Sequence, residues 1–306
     1  MSLHVRDAGL YSLLVDLGRP HTRHLGMPLG GAADRAAFAL GSGLVGNPPE
    51  AVALEVTLFG PTLAAIHPTA CVVYGAAFQP TVNGHPIRPN ATFTLEPGDI
   101  LRVGGTLTGC RGYLCVAGGF DATAILGSRS ALEPIRVDDV LTCRGSRIEP
   151  RSLPVEDAPA VEAVLRVLDG PQRDWFTADA FFTQTYTVSP ASNRMGVRLK
   201  GTLLARRAGE LVSEPVAPGA VQITNDGLPV VLGVDGQTIG GYPKIAHIIR
   251  ADLDVLAQLR PGEGVRFVRV TPEEAATAAR SKAAFLKEWM TRLRLAERQP
   301  VSVTEA

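Results

Sequence analysis

The sequence predicts a mainly β protein with some helix, organised as two β-barrel-like domains and a C-terminal helix. Three observations carry this. Short runs of β-branched and aromatic residues recur between turn signals in both halves of the chain. A stretch rich in proline and charge, Pro150 to Pro159 (PRSLPVEDAP), separates the halves and reads as a linker. A long amphipathic run begins at Pro272. The expected units are residues 1–150, 160–271 and 272–299. At 306 residues the chain suits two domains of about 100–150 residues each.

In the first half, Leu3 and Val5, then Leu13, Val15 and Leu17, alternate as two short strands. From Ala32 the spacing turns helical: ADRAAFALGSGLVGN carries apolar residues three and four apart and stops at Gly46-Asn47, with prolines following. Gly41 and Gly43 weaken the middle of that helix. From Ala51 to Arg147 the pattern is strand and turn, in VALEVTL, ACVVYG, PTVNGHPI, ATFTLEPGDILRV and RGYLCVAGG. Asn83-Gly84 is a hairpin signal, because a type I′ turn needs positive φ at both central residues. Strands this short and close suit a barrel or a sandwich.

In the second half, VLRVLDGP reads as strand and turn, QRDWFTADAFF as a short helix, and YTVS, VRLKGTLL, GAVQIT, PVVLGVD and VRFVRV as strands. IRADLDVLAQL is a short helix ahead of Pro261-Gly262. Each half has a Pro-Gly-acid turn before a strand (Pro97-Gly98-Asp99 and Pro261-Gly262-Glu263), which points to two related barrels. In the final helix, Pro272 occupies a first-turn position where its missing N–H costs little. Glu273 and Glu274 complement the helix dipole. Its apolar face includes Ala278, Phe285, Leu286 and either Trp289 or Met290, and is expected to dock on the second domain or on a partner.

Composition excludes several functions. Thirty basic and thirty acidic residues give a formal net charge of zero, so no electrostatic drive toward nucleic acid or an anionic membrane is expected. No run approaches about 18 uninterrupted apolar residues, and the N-terminus lacks a signal-peptide pattern, so the expected location is the cytoplasm. Cys71, Cys110, Cys115 and Cys143 lie in apolar stretches without C-x-x-C pairing and read as small buried hydrophobes. The six histidines show no ligand spacing, so no metal is predicted. No P-loop and no G-x-S-x-G elbow occur. No biotin attachment sequence occurs either, so biotin could act only if another chain supplied it.

The densest polar constellation follows the PVVLGVD strand. Asp235, Gln237, Thr238, Gly240, Gly241, Tyr242 and Lys244 bring a carboxylate, an amide, a hydroxyl, exposed N–H groups and an ammonium into ten residues. Such a set can hold a planar amide, a urea or a carboxylate-bearing ligand. It is equally compatible with a Gly-rich hairpin whose Asp satisfies turn amides. Arg194 in SNRMG offers a fork for a carboxylate or phosphate, although the plainer reading is a surface arginine after a polar turn. Ser128-Arg129 in LGSRS and Ser213-Glu214 after a strand are further polar turns.

The segments GMPLGGAADRAAFALGSGLVGN, ALEVTLFGP, GCRGYLCVAGGFDATAILGSRS, SPASNRMGVRLKG, ELVSEPVAPGAVQI and DGLPVVLGVDGQTIGGYPKIAHIIRADLDVLAQLRPGEGVRF occur in one order over residues 3 to about 270. Together they resemble the carboxyltransferase-like family that includes allophanate hydrolase subunit 2 and the C-type subunit of 5-oxoprolinase. That family is similar to the carboxyltransferase region of urea carboxylase. The resemblance implies two cyclophilin-like β-barrel domains and a small partner subunit of the same family, of the kind found as allophanate hydrolase subunit 1 or the B-type subunit of 5-oxoprolinase. In 5-oxoprolinase a third subunit joins this pair to open the pyroglutamate lactam at the expense of ATP; in another member the protein antagonises a kinase inhibitor. The implied activity is therefore ATP-dependent 5-oxoprolinase within a complex, the alternatives being a biotin-dependent carboxyltransferase or allophanate hydrolase-type activity, or a non-catalytic regulatory subunit.

Carried over by position, Asp235, Gln237, Thr238, Gly240, Gly241, Tyr242 and Lys244 lie on D-x-Q-T-x-G-G-Y-P-x-I-A, Arg194 on S-x-R-M-G, Gln222 on G-x-[IV]-Q, Ser128 and Arg129 on L-G-S-R-S, and Asp34 on S-G-A-M-D-R, where this chain has Gly30-Gly31-Ala32-Ala33 before the Asp. Asp235 and Lys244 are the expected catalytic pair and the others substrate contacts. Lys244 or Arg194 would neutralise a substrate carboxylate, Gln237 and Thr238 would bind the amide, and Asp235 would orient the substrate or accept a proton. The chain departs from the family after Ser130. The usual Gly-rich loop is shortened to ALEPIRVDDVL, and Ser213-Glu214-Pro215 replaces Ser-Glu-Gly.

Overall fold

The computed structural model describes residues 2–153, 162–176, 179–207 and 209–298. In the first half eleven strands form two sheets. One runs in the order Val140–Thr142, Ser2–Asp7, Thr62–Ala65, Ile100–Arg102, Thr81–Val82 and His85–Pro86. The other runs Tyr11–Val15, Ala53–Thr57, Arg111–Val116, Thr69–Gly75 and Phe93–Leu95.

Residue alternation explains how they pack. From the second sheet, Leu54, Val56, Cys71, Val73, Leu114 and Val116 face the core shared with Leu3, Val5, Leu63 and Leu101 of the first. Their sequence neighbours Ala53, Val72, Tyr113 and Cys115 face the other way, onto helix α1 (Arg35–Leu44). Covered on both faces, Arg111–Val116 is buried throughout. The Asn83-Gly84 hairpin forms as expected, with φ of 52° and 81°. All four cysteines are buried free thiols.

The second half closes a seven-stranded barrel: Glu162–Asp169, Lys244–Ile248, Ala220–Ile223, Pro229–Leu232, Gly196–Lys200, Tyr186–Val188 and Gly264–Arg269, with the last strand parallel to the first. Phe181, Tyr186 and Phe267 are part of its core, Phe181 stacking on Phe267 at 4.5 Å. A two-stranded ribbon, Glu214–Pro215 with Ile239–Gly240, forms a separate small sheet. Helix α2 (Leu253–Gln258) follows a 3₁₀ turn at Arg250–Asp252.

The helix expected over QRDWFTADAFF does not form as such. Only Arg173–Trp175 makes a 3₁₀ turn. Phe176 is extended and bridges Arg206, while Phe181 is drawn into the barrel core. Insertion of these aromatics at different points overrides helical spacing. Residues 177 and 178 lie outside the described residues, as do 154–159 of the expected linker. Residues 151 and 152 pair back onto the first half through Thr92 and Ala91.

Helix α3 (Pro272–Arg298) ties the halves together instead of resting on the second alone. Lys282 pairs with Asp254 at 2.5 Å, and Leu286, Trp289, Met290 and Leu293 pack with α1 in the first half. This explains the two glycines in α1. A methyl on Gly41 would lie 3.0 Å from Tyr74 Cβ and 3.1 Å from Cys115 Sγ, and one on Gly43 would lie 2.8 Å from Met290 Sδ. Gly41→Val is expected to cost about 1–3 kcal/mol by overpacking, read as a lower urea midpoint; unchanged stability would show that the sheet surface yields freely.

Between the halves, Gln258 of α2 uses its whole carboxamide. Its oxygen accepts from Cys110 N and Arg111 N at 2.9 Å, and its nitrogen donates to Asp34 at 2.7 Å and to the Arg111 carbonyl at 2.9 Å. Nearby, Arg35 N donates to Asp254 at 2.9 Å, so the second half helps cap the first half's helix.

Candidate functional site

The seam contains a buried charge network centred on Glu55. This carboxylate sits between Leu54 and Val56 in the strand ALEVT and is 1 % exposed. It accepts from Tyr113 Oη and Ala33 N at 2.8 Å, pairs with Arg194 Nη1, and lies 3.5 Å from Arg111 Nε. Burial pushes its pKa upward, but Arg194 and Arg111 outweigh burial and hold the carboxyl below its usual range.

Arg194 is therefore no surface arginine. The turn before the Gly196–Lys200 strand aims it inward, where Nε and Nη2 grip Asp235 at 2.7 and 3.0 Å and Nη2 also reaches the Gly31 carbonyl at 2.8 Å. Burial disfavours its charge, yet Glu55 and Asp235 together raise its pKa. Asp235 is the open end of the chain Glu55–Arg194–Asp235, with its side chain 29 % exposed. Tyr11 lies within the field of the same charges and its phenol is raised, chiefly by burial.

Lys244 belongs to a second network. Its Nζ pairs with Glu214, Gln172 donates to the same Glu214 oxygen at 2.8 Å, and Gln172 accepts from Lys244 N at 3.0 Å. Hydrogen bonding from Lys244 holds the Glu214 carboxyl below its usual range. Gln222 reaches the Tyr242 carbonyl at 3.4 Å. A methyl on Gly240 would meet Gln222 Nε2 at 2.7 Å and Gln237 Nε2 at 2.9 Å, so the bare backbone at Gly240 is what lets two carboxamides converge. Gly241 is exposed beside Ser213 Oγ, 3.3 Å from where its Cβ would be. Thr238 is buried, with its carbonyl accepting from Val216 N at 3.0 Å. Arg23, from the first half, donates to the Val216 carbonyl and to the Gln237 carbonyl at 3.0 Å.

The topology keeps the two networks apart. The Pro229–Leu232 and Lys244–Ile248 strands flank Ala220–Ile223 and are both antiparallel to it. Asp235 follows the end of the first and Lys244 begins the second, so they lie toward opposite ends of the intervening strand. Asp235 and Lys244 thus share a sequence loop but not an ion-pair network.

Of the remaining expected contacts, Asp34 meets the second half through Gln258, whereas Ser128 and Arg129 bond within the first half. Ser128 Oγ and Ser130 Oγ donate to Asp16 Oδ1 at 2.6 Å, and Arg129 N donates to Oδ2 at 2.6 Å while its side chain is exposed. Burial alone would raise the Asp16 carboxyl, but these hydroxyl and amide donors outweigh it and hold the carboxyl below its usual range.

Asp34 caps α1 by accepting from Ala37 N at 2.9 Å. Burial, reinforced by Asp254, raises the Asp34 carboxyl to about 7. The folded chain therefore favours the protonated acid. That contribution is complete below the ordinary aspartate pKa near 4 and is lost as pH rises through about 7. Urea midpoints measured from about pH 4.5 to pH 7.5 are expected to fall, and Asp34→Asn to flatten the fall; an unaltered slope in the variant would rule Asp34 out as its source.

Glu55, Asp16 and Gln172 carry these networks without standing out as sites in the sequence. The one signal for Glu55 was a lone carboxylate between Leu54 and Val56 in a strand. Among the described residues no group of three or more His, Cys, Asp or Glu could hold a metal ion, and no helix is long and apolar enough to cross a membrane.

Residues 25–269 match the family model described as carboxyltransferase domain, subdomain A and B. The chain is 33% identical to the C-type subunit of 5-oxoprolinase from Escherichia coli, over 95% of this chain and 98% of that protein. It is 31% identical to the protein of the same name in Haemophilus influenzae, over 94% and 97%. The crystal structure of the K. lactis urea amidolyase superposes with a TM-score of 0.87 at 28% identity, covering 94% of this chain and 20% of that one.

Proposed function

The chain belongs to the carboxyltransferase domain family, subdomain A and B, and from that premise we propose that it is one subunit in a cytoplasmic enzyme assembly that opens a small amide or lactam, 5-oxoproline foremost. The observation that carries the reading is the Asp235 carboxylate. It is partly open at the seam and held on its other side by a buried arginine. A carboxylate fixed in this way can accept an amide N–H without needing a further cation to orient it. The two 5-oxoprolinase relatives match over nearly their whole length, which favours a lactam over urea.

The ion pairs support roles other than those expected from the sequence. Arg194 and Lys244 are both neutralised by protein carboxylates, so neither is available as the primary cation for a substrate carboxylate. Arg194 positions Asp235. Lys244 and Glu214 pin the ribbon that leads to Gln237, with Gln172 bracing both. Gln222, Gln237 and the bare backbone at Gly240 and Gly241 are the groups suited to an amide's oxygen and nitrogen edges.

ATP enters as a co-substrate of the assembly, whose other members are a small subunit of the same family and a third oxoprolinase-type subunit. The Lys244 cluster carries one cation, already balanced by Glu214, and fits a triphosphate poorly. No nucleotide step is assigned to this chain. Biotin belongs to the alternative carboxyltransferase reading, which the likeness to urea amidolyase supports, and would arrive on another chain.

The test is ATP-dependent release of glutamate from 5-oxoproline by this chain assembled with both partners. Turnover that needs this chain supports the reading. An intact assembly that is silent on 5-oxoproline but carboxylates urea from a biotin carrier would replace it with the carboxyltransferase. Silence on both would favour a regulatory subunit.

A further inference from the structure

Four cationic side chains are buried among the described residues: Arg19, Arg111, Arg194 and Lys244. A buried charge is costly unless an opposite charge or full hydrogen bonding compensates it. Arg111 and Arg194 share Glu55, Arg194 also holds Asp235, and Lys244 holds Glu214. Arg19, 2 % exposed, has no carboxylate at ion-pair distance among the described residues. Its Nε donates to the Ile125 carbonyl at 3.1 Å and its Nη2 to the Ser130 carbonyl, while Nη1 has no acceptor among the described residues and is not among the polar atoms sealed without a partner. Asp16, three residues earlier, is already engaged by Ser128, Ser130, Arg129 N and Gly18 N.

What Nη1 adjoins is informative. A methyl on Gly30 would lie 3.1 Å from Arg19 Nη1 and 3.9 Å from Asp235 Oδ1. Gly30 has φ of 63° and its N–H is fixed on the Val234 carbonyl at 3.0 Å, so both groups border one small space kept clear by the missing side chain. One group is an uncompensated donor cation; the other is an acceptor whose charge Arg194 already balances.

We propose that Arg19 and Asp235 form a two-point subsite across Gly30 for a small ligand bearing a carboxylate beside an N–H. Arg19 Nη1 donates to the carboxylate and Asp235 Oδ1 accepts from the N–H. This deepens the lactam reading and rests on it, because 5-oxoproline carries both groups on one carbon, whereas urea offers the N–H alone. Arg19 is then the residue that selects the lactam acid over a neutral amide.

The experiment is calorimetric titration of the full chain with three probes: 5-oxoproline, its carboxylate-free counterpart 2-pyrrolidinone, and the open-chain N-acetylglycine. Wild type is expected to bind the two acids at least about tenfold more tightly than 2-pyrrolidinone, as a charge-assisted hydrogen bond warrants. Arg19→Met and Gly30→Ala should abolish that preference, and Arg19→Lys should keep part of it, since it retains the charge without the fork. If Arg19→Met does not fold, Gly30→Ala and Arg19→Lys decide. The subsite is overturned if wild type shows no preference for the acids, or if folded variants with unchanged melting keep the wild-type preference. Arg19-dependent binding of N-acetylglycine but not of 5-oxoproline would keep the subsite and refute the lactam. Arg19-dependent binding of both acids by an assembly that fails to turn over 5-oxoproline would refute only the reaction.

Discussion

Arg194→Met lowers the unfolding free energy by about 3–5 kcal/mol, the range for breaking a buried ion pair by removing one partner. Arg194 is the single cation that bridges Glu55 and Asp235, and Glu55 is sealed from water. Removing it strands that carboxylate with Arg111 Nε, still 3.5 Å away, and two neutral donors. The residual Arg111 contact places the loss toward the lower end of the range. Adding Glu55→Gln recovers part of the loss, because the orphaned charge goes with it. Urea unfolding of the two variants provides the check. A loss below about 1 kcal/mol would mean that the network is no better than a solvent-exposed pair.

Asp235→Asn reduces turnover of 5-oxoproline by the assembled enzyme by about 10²–10⁴-fold, the usual worth of a positioned proton acceptor. The amide preserves the side chain's shape, and Asp235 is partly exposed, so the fold persists while the carboxylate's second acceptor oxygen is lost. The near-ultraviolet spectrum should match wild type and the defect should fall on kcat. Turnover within tenfold of wild type would remove Asp235 from the chemistry and leave it as a link in the seam.

Much of the architecture was legible because it rests on local rules. Asn83-Gly84 predicted its hairpin from φ preferences alone, and Pro272 with Glu273 and Glu274 marked the start of α3. Apolar alternation located most strands. The glycines that weakened α1 as a sequence prediction are positions where the sheet and α3 leave a Cβ little room, a packing reason no local propensity encodes. QRDWFTADAFF failed as a helix for the same kind of reason, since the barrel core captured its aromatics.

The candidate site divides along that line. The sequence by itself determined which residue types gather after the PVVLGVD strand, and that Arg194 carries a fork fit for a carboxylate, because composition and local order are properties of the chain. Only the tertiary structure decided what each one faces. It brought Glu55 to Arg194 across 139 positions, gave Lys244 to Glu214, set Asp235 and Lys244 toward opposite ends of one strand, and left Arg19 buried with no carboxylate at ion-pair distance among the described residues. The physical reason is that a charge's partner is chosen by distance and burial, and strand order and the packing of the two halves set both.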